Sequence, residues 1–252
     1  MPRRERTVVL ASLATLTLLA WAYLVYRVSE MRARGTMDMA SDMVMPQMQS
    51  WGAVEVLLLF VMWAVMMVAM MVPSVAPLIL VFLQANRQRR GRRVVGSAAI
   101  LLLGYLLVWF GFSGLASLVQ WRLHHAALLS PMMASTSAML GGLLLVAAGV
   151  FQFTPLKRGC LVRCRSPLGF LMAEWRDGQW GALRMGVKHG AYCVGCCGLL
   201  MAILLVAGVM NLVWVAAIAV FVLGEKLAPA GVRLGRVAGA GLIVAGIALI
   251  AG

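Results

Sequence analysis

Val54-Glu55-Val56-Leu57-Leu58-Leu59-Phe60-Val61-Met62-Trp63-Ala64-Val65-Met66-Met67-Val68-Ala69-Met70-Met71-Val72-Pro73 holds a single charged side chain, and the run stays apolar to Leu83. A helix crossing the hydrocarbon core of a bilayer needs about 20 mostly apolar residues. This stretch satisfies that length with turns to spare. The rest of the chain agrees with it: 63% of its 252 residues are hydrophobic and only 12% charged. Soluble domains run at about 45–50% and 25%. The expected fold is all-α, a polytopic transmembrane helical bundle.

Seven apolar segments are candidate spans, at about residues 8–26, 54–83, 94–119, 137–154, 181–209, 212–224 and 234–251. The net charge of +14 invites a nucleic-acid reading, but its placement argues for topology instead. Threading seven spans from an inside N-terminus leaves only Arg27, Arg32, Arg34 and Arg122 of the 22 Lys and Arg outside. That is the positive-inside bias, which puts the C-terminus outside and excludes nucleic acid as the partner. The N-terminal run is longer than a signal h-region, and no small-x-small site follows Trp21-Ala22-Tyr23, so it is expected to stay as the first span. The division expected is residues 1–50, the first span with an outer loop, and 51–252, a six-span domain with a cysteine-bearing cytoplasmic loop. The outer loop, 27–50, alternates methionine with acid at Met37, Asp38, Met39, Asp42, Met43, Met45 and Met48. Trp51 is placed as an interfacial anchor.

Sulfur is where the chemistry lies. Met66, Met67, Met70 and Met71 share one side of the second span, since residues three and four apart are neighbours on a helix. Such a stripe suits passage of Cu(I) or Ag(I), although methionine also fills irregular core gaps. His189, Cys193 and Cys197 follow one another at intervals of four, with Cys196 beside them. Imidazole and thiolate on one face make a three- or four-ligand site, and ionisable groups within spans usually serve function. Free cysteine packed as a small hydrophobe is the alternative. Cys160 and Cys164 lie among Lys157, Arg158, Arg163 and Arg165, cations that favour thiolate. They would complete a site with His189 and Cys193 if their loop folds back under the fifth span. By helical rise, Met67 and Cys196 fall at one depth of the bilayer. Reduced thiols are expected throughout, because all five cysteines thread to the cytoplasmic side or the membrane interior. Glu55 and the Glu225-Lys226 pair are expected at interfaces, and His124-His125 with Met132-Met133 in an outer turn.

These motifs resemble a family of bacterial membrane proteins described as predicted metal-binding, a domain of unknown function. The resemblance rests on Met66 to Ser74, Gln152 to Lys157, Cys160, Cys164 to Leu168, His189 to Cys197, Met210-Asn211 with Trp214, and Glu225-Lys226. It spans about residues 50–230 and departs at Gly198, where an aromatic is expected. It implies metal and membrane, and no reaction.

Thiolate and thioether are soft ligands that suit Cu(I), with zinc as the alternative for the thiolates. The expectation is an inner-membrane protein that binds a soft metal, Cu(I) first, and handles or transports it. The partners are the lipid bilayer, the ion, and a metallochaperone or metalloprotein. The alternatives are thiol redox through Cys160/Cys164 and Cys196/Cys197, or a subunit that anchors or matures a metalloprotein. No nucleotide-binding loop or Ser-His-Asp arrangement is visible, and no catalytic residue is assigned.

Overall fold

A computed structural model describes residues 3–40, 52–90, 94–126, 137–208 and 211–252. Among them there are helices and no strands: α1 (Arg3–Ala40), α2 (Ala53–Arg90), α3 (Val94–His125), α4 (Ala138–Phe151), α5 (Pro155–Arg165), α6 (Pro167–Glu174), α7 (Gly178–Ala202), α8 (Leu204–Ala207), α9 (Leu212–Leu227) and α10 (Gly231–Ala251).

Five of these are long and apolar enough to cross a membrane: residues 4–30, 53–88, 96–125, 178–207 and 231–251. A sixth is counted if α4 and α5, bent by 66° at their junction, form one broken span. The remaining candidate, at 212–224, is α9, which is 16 residues long. At about 1.5 Å per residue it reaches roughly 24 Å, less than a bilayer core.

Packing is sequential at first. α1 lies along α2, burying Leu13, Ala20, Leu24 and Val28 from one face, and Arg87 pairs with Glu5 to tie the far ends. α3 lies between α2 and α7. Its buried stripe, Leu101, Tyr105, Trp109 and Ser113, recurs every four residues, as a helix packed on one face requires. Trp63 donates to Gln120 Oε1 at 2.7 Å across the α2–α3 seam. α4 pairs with α10, and α9 reaches α2, α5, α7 and α10 from the middle.

Glycine sets both of the tight crossings. A Cβ on Gly186 of α7 would lie 2.1 Å from the Leu101 carbonyl oxygen, and one on Gly104 of α3 would lie 2.3 Å from that of Leu183. Small residues let helix backbones approach this closely. The α4–α10 crossing works the same way, with Gly142 against Gly246 and Gly149 against Gly239. Gly239 and Gly246 of the last helix are therefore contact points. Gly186→Val must push α7 off α3, and we expect it to cost about 1–3 kcal/mol. A fall in the thermal midpoint followed by circular dichroism in detergent checks this.

Two expectations change. The predicted outer loop, 27–50, is helical through Ala40. The Arg27–Glu30 pair, 3.0 Å apart at i,i+3, carries α1 beyond its apolar run. Met37 and Met39 fall on that extension, whereas Met43, Met45, Met48 and Trp51 lie outside the described residues. The turn expected at 120–136 begins later, since α3 continues through His124 and His125; Met132 and Met133 lie outside the described residues.

The cysteine-bearing loop is also structured. Thr154 caps α5 by accepting from Lys157 N, Pro155 occupies the first turn, and Ser166 caps α6 by accepting from Gly169 N. Ser or Thr before Pro is a local start signal for a helix. The segment therefore forms two short helices, and α5 folds back against α7. Lys188 binds Glu174 at 2.6 Å, joining α6 to α7 and holding the Glu174 carboxyl below its usual range. Arg165 donates to the carbonyls of Ala228 (2.6 Å) and Pro229 (3.2 Å), pinning the α9–α10 turn to α5.

Candidate metal centre

All five cysteines are unpaired, and α5 and α7 bring them together. Cys164 Sγ is 3.9 Å from Cys196 Sγ. Cys160 lies over Gly195, where a Cβ would come within 2.7 Å of its sulfur. The loop thus folds under α7, and the two cysteine motifs, some thirty residues apart in sequence, come together there.

Cys193 is the centre of this cluster. Its sulfur accepts from Lys226 Nζ at 2.9 Å and lies 3.0 Å from Tyr105 Oη. Lys226 Nζ also donates to Ser74 Oγ at 3.1 Å, and Ser74 Oγ donates to the Met71 carbonyl at 2.9 Å. Tyr105 Oη lies 3.3 Å from that carbonyl as well. Four helices therefore meet at one sulfur: α7 holds it, α9 supplies the ammonium, α3 the phenol and α2 the serine.

Cys196 and Cys197 both direct their thiols to the Cys193 carbonyl, at 3.1 and 3.0 Å. Among the described residues, no three His, Cys, Asp or Glu side chains stand ready as a closed metal cage.

His189, one turn before Cys193, is buried, and its Nδ1 has no hydrogen-bond partner. Its ring is packed edge-on by Phe170 of α6, with centroids 5.0 Å apart, and tilted against Tyr105 at 6.0 Å. A buried polar atom left unpaired costs about 1–3 kcal/mol. This orphaned nitrogen, one helical turn from Cys193, is a donor that a soft metal ion would satisfy.

The methionines take a different place. Met66, Met67, Met70 and Met71 are all buried in the core of α2. α2 reaches the cysteines through α3 and α9, and the point of approach is Met71 and Ser74 opposite Cys193. That is about one turn further along α2 than the depth count from sequence gave.

Residues 60–249 match the family model of PpoB2, described as a copper chaperone. The chain belongs to the PpoB2 copper-chaperone family. No curated protein and no solved structure matches it. The PpoB2 match takes in every cysteine and the α2 methionines and leaves out α1, as the narrower resemblance did. It also replaces a label of unknown function with copper. At Gly198, where the resemblance expects an aromatic, a Cβ would lie 3.2 Å from Val194 Cγ1 and 3.7 Å from Phe112 of α3, so the position is closely packed.

Sequence reasoning placed Glu225 and Lys226 together at an interface, and the structure corrects this. Both are buried, and they do not pair with each other. Glu225 takes Lys157 Nζ at 2.7 and 2.9 Å, and Lys157 also reaches Gln152. Adjacent positions on a helix do not face one another, so α9 sends the anion to one place and the cation to another. That rule was available from sequence; Tyr105 and Ser74 carried no such signal.

Proposed function

We propose that this protein is embedded in the bacterial inner membrane, binds Cu(I) on the sulfurs between α5 and α7, and passes it to a metalloprotein partner. The observation that carries this reading is the approach of Cys164 to Cys196, 3.9 Å apart across two helices. Copper as the cargo is supported by the family description. The membrane setting is supported by the five long apolar helices.

In this reading Cys164, Cys193 and Cys196 hold the ion. Cys197 and His189 complete the shell or receive the ion in transfer. Cys160, at the rim, is half-exposed and suits handover to or from a partner. Met66, Met67, Met70 and Met71 offer weaker thioether ligands along α2, suited to an ion in transit.

Elemental analysis of the detergent-purified protein, loaded with Cu(I) under reducing conditions, tests the proposal. Stoichiometric copper that survives desalting supports it; a metal-free protein would overturn it. The same contact admits a second reading, in which Cys164 and Cys196 act as a redox dithiol. A protein that binds no copper but forms a Cys164–Cys196 disulfide with mild oxidants would favour that reading.

A further inference from the structure

Lys226 stands inside the thiol cluster with no carboxylate beside it. Its ammonium lies 2.9 Å from Cys193 Sγ and 3.1 Å from Ser74 Oγ, and the residue is only 6% exposed. The neighbouring carboxylate, Glu225, is turned away and occupied by Lys157. Tyr105, the remaining polar group at Cys193, is neutral as a phenol. The fixed positive charge closest to the sulfur is therefore that of Lys226.

We propose that Lys226 is the charge-selecting residue of this site, admitting a soft monovalent ion and rejecting a divalent one. The inference rests on the reading of the cluster as a metal site. Repulsion between an ammonium and a metal ion scales with the charge of the ion, so a dication meets twice the opposition of a monocation. Burial removes the salt screening that would blunt this at a surface.

Charge balance points the same way. Cu(I) on two thiolates leaves one negative charge, which the ammonium cancels. Zn(II) on the same two thiolates is already neutral, and the ammonium becomes an uncompensated buried charge, which is costly. The four-carbon stem of lysine lets the ammonium swing from Cys193 towards Ser74 as the ion arrives, so it remains in the site as counter-charge.

The test is competition between Ag(I), a redox-inert stand-in for Cu(I), and Zn(II) on the full-length protein in detergent. Bound metal is counted after desalting, and the sulfur-to-metal absorption band is followed by ultraviolet spectroscopy. Wild type should take Ag(I) stoichiometrically and Zn(II) weakly. Lys226→Met should raise the affinity for Zn(II) relative to Ag(I) by about tenfold or more, while Lys226→Arg keeps the wild-type preference. Lys226→Gln serves if the methionine variant aggregates. An unchanged ratio in the neutral variant overturns the proposal, as does wild type that binds Zn(II) as tightly as Ag(I). If wild type binds neither ion, the metal reading of the cluster falls and the role of Lys226 with it.

Discussion

Exchanging Cys164, Cys193 and Cys196 together for serine is expected to take bound Cu(I) from roughly one ion per chain to almost none, with the helices intact. Hydroxyl oxygen is a hard donor of similar size to the thiol, so the exchange removes the soft ligand and little else. Cys196 donates to the Cys193 carbonyl, a bond that a serine hydroxyl in a helix can remake. Single cysteine variants should not be equal. Cys193→Ser should lose most, because Cys193 is the sulfur on which Lys226 and Tyr105 converge. Cys160→Ser should lose least, since its sulfur sits at the rim over Gly195. Copper per chain by elemental analysis, beside helical content by circular dichroism, measures both halves of the expectation. Copper retained in the triple variant would move the site away from the thiols, and the buried methionines of α2 would be the next place to look.

The ligand types and their spacing were legible in the sequence because they are local. His189, Cys193 and Cys197 share a face by helical period alone, and Ser166-Pro167 marks where α6 begins. What stayed hidden was non-local. Whether α5 returns to α7 depends on the 66° bend between α4 and α5. The close seating of α7 on α3 depends on Gly186 and Gly190 meeting the backbone and side chains of residues 101–108. A glycine in an apolar helix does not reveal which helix it will face. The charged pair at 225–226 was misplaced for a related reason. Two opposite charges at the end of an apolar run look like an interfacial ion pair, and only the tertiary arrangement separates them. Likewise Tyr105, within a span that otherwise offers little chemistry, gains its role from what α3 packs against.

That separation produces the largest stability effect expected. Lys157 and Glu225 are 3% and 2% exposed in their side chains, and their ion pair joins the start of α5 to the end of α9. Forming such a pair in the interior gains little, because desolvation offsets the attraction; breaking it by removing one partner is severe. Glu225→Ala leaves a buried ammonium with only Gln152 as its side-chain partner, and should cost about 3–5 kcal/mol. Glu225→Gln should cost less, since an amide oxygen can still accept from Lys157 Nζ. Removing both charges, as Lys157→Met with Glu225→Gln, should recover most of the loss, and that coupling distinguishes a true pair from two independent sites. Gly235 adds a geometric requirement: a Cβ there would lie 2.2 Å from Glu225 Oε1, so Gly235→Ala should disturb the same contact. Thermal midpoints of the purified variants in detergent measure the series. The effect should extend to the thiols, because Lys226 follows Glu225 on the same turn of α9. If the carboxylate fixes that turn, Glu225→Gln should also alter the rate at which Cys193 is alkylated in the metal-free protein. A variant that loses stability while Cys193 keeps its wild-type reactivity would show that the ion pair supports the bundle without positioning the site.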